Sequence, residues 1–149
     1  MTYSKGKTLI VEVPVSIGEL LDKLSILRIK LKNFSPGPKR DNVQREHDAL
    51  QTVADTRGLR HPELETALDQ VNGRLWKVED ELRVLETRQD FGMEFIALAR
   101  AVYYTNDERA ALKQRLNTHF GSSLVEEKQY VDYRAPGATE PGGSTLGGD

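Results

Sequence analysis

Seven apolar residues between Leu64 and Leu85 recur at alternating steps of four and three: Leu64, Leu68, Val71, Leu75, Val78, Leu82 and Leu85. Such spacing is a three-heptad seam, and it keeps one face apolar only on a helix. A strand, with its period of two, would scatter these residues over both faces. The seam predicts a long helix that opens near Pro62, a favoured first-turn residue. The stretch before it, about 41–55, carries a shorter stripe of Val43, His47, Leu50 and Ala54, and Gly58 closes it. Two helices separated by so short a turn predict an antiparallel hairpin or coiled-coil arm. Gly73 interrupts the long helix at a cost of up to ~1 kcal/mol against Ala, marking either a close contact or a tolerated defect.

Upstream, Thr8–Val13 is a β-prone run that ends at Pro14. Ser16 with Glu19 three residues on is a capping box, which opens a first helix. In that helix Leu20, Leu24, Leu27, Leu31 and Phe34 form one stripe, while Leu21, Ile26 and Ile29 lie on other faces. A helix apolar on several sides belongs at the centre of a bundle. The run Ser35-Pro36-Gly37-Pro38 stops it. Downstream, Asp90-Phe91-Gly92 precedes a helix over about 92–104 with Phe95, Leu98, Ala99 and Val102 on one face. Thr105-Asn106-Asp107-Glu108 reads as a second capping box and starts a fifth helix, striped by Leu112, Leu116 and Phe120 and ended by Gly121.

The expectation is a mainly α chain: a helical bundle with a long antiparallel helical hairpin and a short N-terminal β-strand. That strand could pair with the extended C-terminal segment Leu124–Tyr133. Residues 1–133 form a single helical domain on this reading. Residues 134–149 hold five of the twelve glycines and two of the six prolines, with no aromatic residue, and read as a disordered Gly/Pro-rich tail.

Composition excludes several function classes. Charged residues are 30% of the chain, yet the net charge is only -2, which disfavours nucleic acid as a partner. With no cysteine, disulfides and thiolate chemistry are absent. Mean hydropathy is -0.55, and no uncharged stretch approaches the ~18 residues of a membrane span, so a cytoplasmic protein is expected. His47, His61 and His119 share no ligand spacing, so no metal site is predicted.

Two places could carry chemistry. Trp76, the single tryptophan, shares a helix face with Asn72, Glu79 and Arg83, off the heptad seam. It either plugs a joint against the two last helices or walls a pocket lined by Glu79 and Asp80. Arg109, Lys113 and Asn117 follow one another at four-residue steps, and the two cations fall within the arc of Leu112, Leu116 and Phe120. Cations at a core boundary need partners, and Glu19, Asp22, Glu79, Asp80, Glu126 and Glu127 are the candidates. The group is then either a structural ion-pair network or, with Arg100, Asn106 and Lys128, a pocket for a phosphate or carboxylate.

The blocks G-E-L-L-D-K (18–23), L-W-K-V-E-D (75–80), F-I-A-L-A-R (95–100), T-N-D-E-R-A-A-L-K (105–113) and V-E-E-K (125–128) occur in this order. Together they resemble a small family of bacterial and phage-associated proteins known only as a domain of unknown function. The resemblance spans about residues 8–133, with the tail outside it. It implies a helical domain of this size and no established activity.

Two functional readings follow. The first is a helical protein-interaction or assembly module, homo-oligomeric or bound to another protein, motivated by the heptad seam. The second is a protein or enzyme that takes an anionic metabolite such as a nucleotide or sugar phosphate. In it Arg109 and Lys113 bind the anion, and Glu79, Asp80 or Glu127 acts as a base or holds magnesium. No cofactor is required by the first reading, and no catalytic residue is assigned by either.

Overall fold

The structure, a computed structural model, describes residues 9–134. It has four helices: α1 (Ile17–Asn33), α2 (Pro38–Thr56), α3 (Pro62–Thr87) and α4 (Met93–Phe120). Their order is set by local signals at each end. Ser16 caps α1 by accepting from the Glu19 backbone N–H at 3.1 Å. Pro38 and Pro62 occupy the first turns of α2 and α3. His61 caps α3 through Nδ1, which accepts from the Leu64 N–H at 3.2 Å. Gly121 closes α4 in the left-handed region at φ 65°.

α1 is the hub, as its several apolar faces predict. It packs against each of the other three helices, while α3 and α4 form a long hairpin. α2 lies antiparallel on α1, tied by Lys23–Glu46 at 3.0 Å and by Arg40 donating to the Leu31 carbonyl at 3.3 Å. The central core of Leu20, Leu21, Leu24, Ala54, Leu64, Leu68 and Leu116 draws on all four helices.

Three expectations are corrected. The long antiparallel hairpin is α3–α4, not the second and third helices: no Cα of α2 comes within 8 Å of α3. The apolar face of α2 is claimed by α1 and that of α3 by α1 and α4, so the short turn between α2 and α3 joins two helices that do not pack on each other. The predicted fourth and fifth helices are one continuous α4. The T-N-D-E pattern at 105–108 resembles a cap, but no Gly or Pro breaks the chain there, and Thr105 is buried inside the helix. The N-terminal run forms no strand over the described residues 9–13, and Thr8 lies outside them. Its proposed partner, the segment after Ser122, is tied to α4 instead, by the Glu126–Lys113 ion pair and the hydrogen bond from the Tyr133 hydroxyl to Asp107. The two ends still converge: the Ile17 N–H donates to Ser122 Oγ at 3.1 Å. Most of the proposed tail, residues 135–149, lies outside the described residues.

Candidate functional site

The site is assembled where α1 crosses α4. The closeness of that crossing is fixed by Gly18. A Cβ there would stand 2.4 Å from the Lys113 carbonyl oxygen and 2.9 Å from Asn117 Oδ1. Without one, the Gly18 N–H donates to Asn117 Oδ1 at 2.6 Å. Three N–H groups of the first turn of α1 thus have side-chain partners: Ser122 for Ile17, Asn117 for Gly18 and Ser16 for Glu19. One turn further along α1, Asp22 faces α3 and α4 and is fully buried.

A buried carboxylate needs charge and hydrogen bonds to offset lost hydration. Asp22 has both. Arg109 grips it bidentately, Nε to Oδ1 at 2.9 Å and Nη2 to Oδ2 at 2.5 Å. Asn72 on α3 donates to Oδ1 at 3.0 Å and to Ser25 Oγ at 3.1 Å. The Asp22 hydrogen bond is the main reason the Arg109 guanidinium stands above its ordinary value.

Lys113, 8% exposed, lies beside this pair. Its Nζ donates to Glu19 at 2.5 Å and to Glu126 at 2.9 Å, and is 3.9 Å from Asp22. Burial works against the ammonium charge, but Glu19, Glu126 and Asp22 outweigh it, and the amine is raised above its usual value. Glu126 also pairs with Lys128 at 2.6 Å. Held by Lys128 first and Lys113 second, its carboxyl is lowered to about 2.

Beyond these pairs lies a cavity of about 590 Å³. Arg109, Lys113, Lys128, Asn106 and Asp107 supply polar groups to it, and Tyr103, Tyr130 and Tyr133 supply ring faces. One side is α4; the other is the segment after Ser122, laid back over the helix. That segment is pinned at both ends. Glu126 holds it to Lys113, and the Tyr133 hydroxyl donates to Asp107. Tyr133 also meets Tyr103 and Tyr104 edge-on, each at 5.0 Å between centroids.

Of the nine predicted site residues, the structure brings Asn106, Arg109, Lys113 and Lys128 together at one cavity. Arg100 is exposed on α4 outside it; the Tyr103 hydroxyl is the main reason the Arg100 guanidinium stands above its ordinary value. Trp76 is elsewhere. It packs near Phe34, 6.4 Å between centroids, and borders a separate recess with Arg28, Lys32 and Asp69. It therefore neither plugs a joint against α4 nor walls a pocket with Glu79 and Asp80. Those two carboxylates are exposed on α3, Asp80 within 3.8 Å of Arg83. Glu127 is exposed and does not line the cavity. Among the described residues no three His, Asp or Glu side chains converge as metal ligands.

Sequence spacing alone does not reach Gly18 or the three tyrosines, and it names Asn72 only as a neighbour of Trp76 on its helix face. One signal for the tyrosines was present: four of the five in the chain, Tyr103, Tyr104, Tyr130 and Tyr133, fall in its last third.

A family model matches residues 11–145. The chain belongs to DUF6165, a family of unknown function. The match runs past Tyr133, so residues 134–145 fall within the family's pattern, contrary to the expectation that the tail lies outside it. All the cavity-lining residues lie inside the matched stretch. No curated protein and no solved structure matches the chain. Among the described residues, no helix is long and apolar enough to cross a membrane.

Proposed function

We propose that this chain is a small-molecule-binding protein for an anionic, ring-bearing metabolite, of the class of a nucleotide or a sugar phosphate. The supporting observation is the cavity of about 590 Å³ between α4 and the segment after Ser122. Its volume is within the usual range of ligand sites. Its lining joins two chemistries: the cationic heads of Arg109, Lys113 and Lys128 suit a phosphate or carboxylate. The faces of Tyr103, Tyr130 and Tyr133 suit a planar base or the C–H face of a sugar.

The test is a thermal-shift screen of nucleoside monophosphates, sugar phosphates and small carboxylates, with and without magnesium, followed by calorimetry. A ligand at 100 times its Kd adds about 2.7 kcal/mol of stability. Tyr103→Ala, a change at an exposed residue, weakens binding and leaves the fold intact. A flat screen across all three classes would remove the proposal.

A second reading, self-association, is favoured by a different observation. The heptad seam that first suggested it is largely used inside the chain, with Leu64, Leu68, Val71, Leu75 and Leu85 buried. The far end of the α3–α4 hairpin instead exposes Val84, Phe91, Met93 and Ile96. Light scattering after size exclusion checks this: a dimer that Met93→Asp dissolves supports it, and a monomer at high concentration ends it.

A further inference from the structure

Glu126 occupies a distinctive position. Its two oxygens bridge two ammonium groups, Oε2 to Lys113 at 2.9 Å and Oε1 to Lys128 at 2.6 Å. Both lysines also line the large cavity, whereas Glu126 does not. It sits in a small adjoining recess with Gln114 and Asn117, and the two lysines and Ala110 are shared between recess and cavity. The lysines are therefore the charged part of the partition, with a carboxylate on one side and open space on the other.

We propose that Glu126 is an internal stand-in for the ligand's anionic group, and that a phosphate or carboxylate entering the cavity competes with it for Lys113 and Lys128. This deepens the reading of the cavity as an anion site and rests on it. The chemistry of the two contenders is alike: a carboxylate bridging two ammonium groups presents two oxygens, as a phosphate ester does. The competition is uneven in a useful way. Lys113 keeps Glu19 at 2.5 Å and Asp22 nearby when Glu126 leaves, so its charge stays compensated. Lys128, at the cavity's outer wall, exchanges Glu126 for the incoming anion. Glu126 is 38% exposed at its side chain, so on leaving the lysines it can turn to water.

The strength of the carboxylate's hold is visible in its acidity, which its two lysines depress to about 2. Glu126 consequently stays ionised and stays a competitor at any physiological pH. Occupancy of the lysines by Glu126 acts as a closed state, and the observed affinity for an anion is the intrinsic affinity reduced by the fraction of molecules in which the lysines are free. Glu126 also anchors the segment that carries Tyr130 and Tyr133.

Calorimetry on the full chain tests the competition with three probes: phenyl phosphate, inorganic phosphate and phenol. Glu126→Gln keeps the shape and removes the charge. It is expected to tighten phenyl phosphate and inorganic phosphate by about 5-fold, as removal of a closed state populated at about 80% requires. Phenol binding should not change. Glu126→Ala, in which no carboxamide can bond to the lysines, should give the same pattern if the glutamine variant folds poorly. Equal affinity for phenyl phosphate in wild type and variants, or an equal gain for phenol, would overturn the competition while leaving the cavity reading in place. Absence of phosphate binding in every form of the protein would overturn both.

Discussion

The two ends of the α3–α4 hairpin are built from the same helices and solve different problems. At its root, α1 lies across both helices, and Asp22, Asn72, Arg109 and Lys113 form a polar network among the leucines of the core. At its far end α1 has run out: α3 and α4 have 26 and 28 residues against 17 for α1. At 1.5 Å per residue the hairpin outreaches α1 by about 14 Å. Between Asp80 and Leu98 only Leu85 is buried, and Met93 is 83% exposed. The seam is continuous in sequence, yet its value depends on what else is present. With a third helix it builds a core; without one it makes a bare two-helix arm.

Asp22→Ala should produce the largest effect. It leaves Arg109 without its buried partner and Asn72 short of an acceptor, and is expected to cost about 3–5 kcal/mol in denaturant unfolding. A loss below about 1 kcal/mol would mean that the root network contributes no more than the arm does.

Paired glycine substitutions sharpen the contrast along the helices. Gly18→Ala drives a methyl group into the Lys113 carbonyl, and should destabilise by about 1–3 kcal/mol as α1 is forced from α4. Gly73→Ala meets nothing within 4 Å and should stabilise by up to about 1 kcal/mol. Opposite signs in thermal melts are the expected outcome; equal signs would show that the crossing is looser than its geometry.

The pH dependence reports on the cavity wall. The Glu126 carboxyl is lowered in the folded state, so its contribution is present above the unfolded value of about 4.3 and is lost as pH falls toward about 2. Because the side chain is well exposed, solvent screening limits that contribution to about 1 kcal/mol or less. Stability curves of wild type and Glu126→Gln should therefore converge between about pH 5 and 2. Curves that stay parallel through that window would show that the Lys113 and Lys128 pairs add nothing to the fold.

The arm should respond least. Met93→Ser is expected to shift stability by less than about 0.5 kcal/mol in a dilute monomer. A larger loss, dependent on protein concentration, would show that a second copy covers the arm.

Much of the local structure was legible in the residues. The Ser16 cap, the stop after Phe34, the proline starts and the Gly58 and Gly121 turns are short-range signals, each acting within a few residues of itself. The burial of Arg109 and Lys113 followed from their place in an apolar arc, and their need for carboxylates followed from burial. Which carboxylates they meet did not. Asp22 and Glu126 are 87 and 13 residues from their partners, and spacing ranks them no higher than Glu79 or Glu127. A capping pattern at 105–108 misled for a related reason. Caps are favoured only where a helix must begin, and the packing of α4 along α3 and α1 makes that beginning unnecessary.

The sequence by itself determined that this chain is helical, where most helices begin and end, and that its near-neutral charge must be matched internally in part. Hydrogen-bond and periodicity signals of one or two turns suffice for that. Tertiary structure alone decided which helices pair, that Gly18 brings α1 onto α4, and that three tyrosines and three cations surround one cavity. Those outcomes depend on which apolar face reaches which other face first and most closely. That is a competition among distant surfaces, and no local pattern records its result.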